Sequence, residues 1–123
     1  MKKIRLLTLF FNFRDLISKY KKLDLRGYKM SFFTVSHWEA KTWNKEDEAK
    51  ASEKYIPMIL SMGATSVKMC KTDELKFMVI TEWSSGEIAK EAAEKIASVR
   101  AQASEEFDNV MISSHAGEAF ASG

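Results

Sequence analysis

The stretch LKFMVITEWSSGEIAKEAAEKIASVRAQASEEF (residues 75–107) decides the fold. Its first nine residues are rich in apolar, β-branched and aromatic side chains, so a strand is expected over 75–83. It is the most apolar strand of the chain and is expected at the centre of a sheet. Ser84-Ser85-Gly86-Glu87 has the form of a capping box, with Ser84 expected to bond the helix N-terminus and Glu87 to reach back. Ile88, Ala92, Ile96, Val99, Ala103 and Phe107 then recur at helical spacing and form one apolar stripe. Ala89, Ala93, Ala97 and Ala101 keep that helix thin enough to pack close to a sheet.

Upstream lies the same grammar. Residues 31–39 (SFFTVSHWE) alternate and read as a first strand. Asn44 suits an N-cap, and Glu46, Asp47 and Glu48 fill the first turn, where the helix dipole favours anions. The helix is expected to run to Met62, with Gly63 as its stop and Ala49, Ser52, Ile56, Ile59 and Leu60 as its apolar positions. Pro57 inside it should kink or split it near residues 53–56, because it lacks an N–H. Residues 65–71 read as a second strand, Thr72-Asp73-Glu74 as a hairpin turn, and 109–114 as a fourth strand. His115 is expected to close that strand and open a small-residue tail.

Strand, helix, strand therefore occurs twice. With right-handed crossovers this βαββαβ string predicts an α+β, ferredoxin-like domain. Its four-stranded antiparallel sheet has the order 4-1-3-2, with both helices on one face. The other face still carries apolar side chains, and 94 residues supply nothing to cover it. A homodimer pairing sheet face to sheet face is the economical solution.

Residues 1–29 stand apart. They carry nine Lys/Arg against two Asp, a net +7, whereas the remainder carries ten Lys/Arg against fifteen Asp/Glu, a net −5. A mildly acidic body without a basic stripe speaks against nucleic-acid binding. The leader permits several readings. Its apolar run 6–13 is too short to span a bilayer and lacks a small-residue cleavage site, so it fits a secretory signal poorly. It could form an amphipathic helix that docks on the body, on a partner or on an anionic membrane, or it could be non-native sequence ahead of a start at Met30. The body is expected to be cytoplasmic.

One cysteine, Cys70, excludes an intramolecular disulfide, and two histidines leave little for a metal cage. No metal and no cofactor is expected, and the common nucleotide, hydrolase and metalloprotease motifs are absent from the sequence.

Residues 32–120 resemble the dimeric α/β-barrel superfamily, which includes antibiotic-biosynthesis-type monooxygenases and stress-responsive barrel proteins. The features that carry the likeness are Ile80-Thr81-Glu82-Trp83-Ser84-Ser85 and Tyr55-Ile56-Pro57-Met58, the latter followed by Met62-Gly63-Ala64. The resemblance implies a barrel-like dimer. This chain departs from the haem-degrading members, which use an Asn on the first strand and a His in the second helix: here the first strand offers Ser36 and His37, and the second helix has no His. Members with a His-Pro pair in the first helix meet Ile56-Pro57 here.

The candidate pocket residues are His37, Trp38, Glu82, Trp83 and His115. His37 titrates near neutrality and suits proton transfer, and Glu82 is a carboxylate set among aromatics. Each also has an ordinary structural reading: a hydrogen-bonded strand histidine, a solvated edge carboxylate, a tail residue, or aromatic packing. Antiparallel pairing puts His37 and Glu82 at opposite ends of the sheet, whereas Glu82 and His115 could share an end, ~10 Å apart, and bracket a ligand. Two functions follow. One is binding of a small apolar or aromatic molecule in a cavity between the paired sheets. The alternative is a cofactor-independent monooxygenase or isomerase in which His37 or Glu82 moves a proton.

Overall fold

The computed structural model describes residues 30–123. The expectations for residues 1–29 lie outside them. The described chain runs β1 (Phe32–Ala40), α1 (Lys45–Lys50), a π-helical turn (Ala51–Tyr55), α2 (Ile56–Leu60), β2 (Ala64–Asp73), β3 (Lys76–Trp83), α3 (Gly86–Phe107) and β4 (Asn109–Glu118). The strands form one antiparallel sheet in the order β2-β3-β1-β4. This is the expected 4-1-3-2 order read from the opposite edge, and the domain is ferredoxin-like.

Alternation in β1 fixes which face meets the helices. Ser36, Trp38 and Ala40 are buried, while Glu39 between them is exposed. Direct partners across the ladder share a face, so Thr34, Ser36 and Trp38 lie with Thr81, Val79 and Phe77 of β3. The helices cover that face. Trp83, Ala89 and Ala92 form one buried cluster, and Tyr55, Ile59 and Val99 form another. The whole predicted stripe of α3 belongs to these two clusters. Trp83 and Tyr55 are the largest fully buried side chains, each contributing about 1.5–3 kcal/mol by leaving water.

The first helical segment breaks where Pro57 demands it, and the break takes the form of a wider turn. In a regular α-helix Pro57 could not donate to the carbonyl four residues back. The π-helical turn resets the ladder so that Pro57 falls in the opening turn of α2, where no donor is needed. The inserted residue also rotates the phase of the helix. Tyr55 and Ile59 are therefore buried, whereas the expected core positions Ala49, Ser52 and Leu60 are exposed.

Three local expectations are corrected. The N-cap of α3 is Ser85, whose hydroxyl accepts from the Ile88 N–H at 3.3 Å. A cap must bond two or three residues ahead, and Ser84 is one residue too early for a helix that opens at Gly86. The β2–β3 hairpin turns at Glu74 and Leu75, since Asp73 still pairs with Lys76. Finally, β4 does not end at Ser114. It continues to Glu118, and His115 sits within it opposite Val35. The small residues there lie beside Phe33 and Thr34 and keep the ladder intact.

Candidate functional site: a cavity between sheet and helices

A cavity of about 650 Å³ opens between the helix-covered face of the sheet and the helices. Its floor includes Ser36, Trp38, Phe77 and Val79, and its roof includes Tyr55, Ile59, Val99 and Ala103. The π-helical turn shapes one wall through Ala51, Ser52 and Tyr55. Pockets of about 300–1,000 Å³ with mainly apolar walls and a few polar groups are the usual small-molecule sites.

Three aromatics form one end. Trp38 and Phe77 stack at 6.0 Å with planes 9° apart, and Trp43 meets Phe77 edge-on at 5.7 Å. The sequence places them there: Trp38 and Phe77 are ladder partners on the inward face, and Trp43 lies in the connector just before α1. The Trp38 indole N–H donates to the Ser36 hydroxyl at 2.8 Å, so this buried polar pair is mutually satisfied. The Trp43 indole N–H donates to Glu48, and the Lys71 ammonium stands 4.6 Å from the Trp43 ring centre. That indole hydrogen bond is the main reason the Glu48 carboxyl lies below its ordinary pKa, with the charges of Lys45 and Lys71 adding to it.

The other carboxylate of the wall, Asp47, is also occupied. Its backbone N–H donates to Asn44 Oδ1 at 2.8 Å, and its side chain accepts from Asn44 Nδ2 at 3.1 Å. At the far side the Tyr55 hydroxyl donates to Glu106 Oε1 at 2.6 Å, and Lys54 reaches the same oxygen at 2.9 Å. Burial, then the Glu106 hydrogen bond and charge, push the Tyr55 phenol up to about 12. Tyr55 is thereby a neutral clip between the π-helical turn and the last turns of α3.

Of the five residues expected to form a pocket, Trp38 alone lines this cavity. Trp83 faces the helices but is sealed in the core, where its indole N–H donates to the Thr34 hydroxyl at 3.2 Å. His37, Glu82 and His115 belong to the opposite face, since they pair in register with Met78, Phe33 and Val35. Glu82 there accepts from the hydroxyls of Ser31 (2.9 Å) and Ser66 (3.3 Å).

His37 and Glu82 sit four ladder positions apart: Glu82 is near one end of the sheet opposite Phe33, and His37 lies within β1 opposite Met78 and not at the other end. His115 lies two positions inward of Gly117, the residue that shares Phe33 as a partner with Glu82. The neighbour it meets is His37, with ring centres 6.3 Å apart. The expected ligand space lay between paired sheets, whereas the cavity lies within one protomer on the helix side. Among the described residues no cluster of three His, Cys, Asp or Glu side chains could hold a metal ion, and no helix is long and apolar enough to cross a membrane.

Sequence reading passed over Arg100 and Lys71, and the bond from Trp43 to Glu48, although Trp38, Trp43 and Phe77 belong to the aromatic set that the sequence offers for a planar apolar ligand. Arg100 lines the cavity from α3, and burial lowers its pKa. Its position four residues after Ile96 and one after Val99, on the edge of the apolar stripe, is the signal that could have found it.

No family model matches the chain, and no curated protein is similar to it. Among solved structures it is similar to a dimeric ferredoxin-like protein from an uncultured marine organism, with 11% identity and a TM-score of 0.40. The match covers 73% of this chain and 86% of that one.

Proposed function

We propose that the domain is a homodimeric small-molecule-binding protein of the dimeric α/β-barrel type, with its ligand in the cavity between sheet and helices. The observation that carries this reading is the cavity itself: about 650 Å³, with Trp38, Phe77 and Trp43 gathered at one end. A close-packed interior leaves few voids larger than a water molecule, so a space of this size next to a stacked aromatic pair fits a planar, largely apolar ligand. The dimer is supported by the row Phe33, Val35, Met78 and Ile80 on the face that no described helix covers.

The oxygenase or isomerase reading draws no support from this cavity. Neither His37 nor Glu82 lines it, and the wall carboxylates Asp47 and Glu48 are held by Asn44 and Trp43. The test is a thermal-shift screen of the full chain against planar aromatic and lipid-like compounds, repeated on Ala103→Phe, which puts a ring into the cavity. Compounds that bind should raise the melting temperature of the wild type and lose at least about tenfold in affinity in the variant. A screen without a single stabilising compound, or binding unaffected by Ala103→Phe, overturns the reading.

A further inference from the structure

Arg100 has a position that core packing does not account for. It stands in the cavity wall on α3, beside the apolar residues Val99 and Ala103. The ion pairs among the described residues are Lys41–Asp108, Lys45–Glu48 and Lys54–Glu106, and Arg100 takes part in none of them. It also has no side-chain hydrogen bond within the described residues. Burial lowers its pKa. Arginine remains charged at neutral pH even so. A partly desolvated guanidinium with five donors facing a cavity costs free energy until an acceptor arrives.

We propose that the cavity takes a carboxylate-bearing ligand whose anionic end pairs with Arg100 and whose apolar body lies toward Trp38 and Phe77. This rests on the cavity being a ligand site, and it adds the chemical class of the occupant. The planar guanidinium fork matches a carboxylate with two parallel hydrogen bonds, a geometry that neither a lysine nor a neutral amide reproduces. The remaining charges fit the same orientation. Glu48 and Asp47 stand on the first turn of α1 and repel an anion there, so the carboxylate is directed away from α1. The other cations of the wall are Lys71 and Lys68: the Lys71 ammonium is placed over the Trp43 ring, and Lys68 pairs in register with Ile80, on the sheet face turned away from the helices.

The test is calorimetric titration of the full chain with two matched pairs, indole-3-acetate with indole-3-acetamide and octanoate with octanamide. The acid of at least one pair should bind at least about tenfold more tightly than its amide, the range of a charge-assisted hydrogen bond. Arg100→Met should remove that preference while leaving the amide affinity in place, and Lys71→Met should preserve it. The wild-type ratio needs no variant, so a poorly folding Arg100→Met does not blunt the test. Equal binding of acid and amide, or a preference that follows Lys71 and survives Arg100→Met, overturns the carboxylate assignment alone. No binding of any of the four compounds counts against the ligand-site reading as well.

Discussion

Tyr55 is 2% exposed, yet its hydroxyl reaches Glu106 at the surface. Burial and the neighbouring carboxylate raise its pKa to about 12 in the folded protein, against about 10 in an unfolded chain. The folded state thus holds the phenolic proton more tightly. The resulting stability is fully present below pH ~10 and drains away as pH rises toward 12. Tyr55→Phe should cost about 1 kcal/mol at neutral pH through the lost hydrogen bond. In urea titrations the gap between wild type and variant should close above pH ~10, and a gap that stays constant would mean the hydroxyl contributes nothing specific. Gly63 carries a different constraint. Its φ is 110°, and an added Cβ would lie 3.0 Å from Ile88 Cγ2. Gly63→Ala should therefore destabilise by about 1–2 kcal/mol or more from the backbone strain alone, read as a lower urea midpoint at unchanged slope.

At the scale of elements, the start of α3 separates two serines that look alike in the sequence. Ser85 bonds the Ile88 N–H, and Ser84 has no such role. Ser85→Ala should cost about 1 kcal/mol, and Ser84→Ala should stay within about 0.5 kcal/mol; a larger loss at Ser84 in chemical denaturation would reverse the assignment. The existence and order of elements were legible because periodicity reports which face is buried, and the α3 stripe Ile88 to Phe107 does so without ambiguity. Pro57 announced a break but not its form, because a kink and a π-helical turn both spare the missing donor. Only packing of Tyr55 and Ile59 against Val99 chooses between them. The end of β4 was obscured by small residues that signal a tail in isolation and a tolerated edge strand beside β1. The site was legible in part. Trp38 was found, and strand parity already implied that its neighbour His37 faces the other way. The cavity was not legible, since it is a gap set by distances between elements. Arg100, one residue off the apolar stripe, reads as an ordinary solvated flank until that gap is seen.

At the scale of the molecule, the decisive surface is the sheet face that no described helix covers. It is about four strands wide at ~4.8 Å and eight residues long at ~3.3 Å, so each protomer offers roughly 500 Å². Two such faces together reach about 1,000 Å², the lower limit for a specific interface. Phe33, Val35, Met78 and Ile80 occupy its two central strands, and Val110 and Ile112 at the β4 edge are 58% and 54% exposed. A two-fold axis through the face would bring each apolar row against its own copy. Ile80→Glu then buries two carboxylates in that contact, and although Lys68 stands opposite position 80 on β2, taking these charges out of water costs several kcal/mol. Light scattering at micromolar concentration should give twice the chain mass for the wild type and the single-chain mass for Ile80→Glu. Glu53→Lys, an exposed change in the π-helical turn, should leave the mass alone. Because the cavity lies within one protomer, the monomeric variant should still bind its ligand. A wild type that is monomeric under these conditions would overturn the dimer, and an Ile80→Glu variant that keeps the doubled mass would place the self-association surface elsewhere.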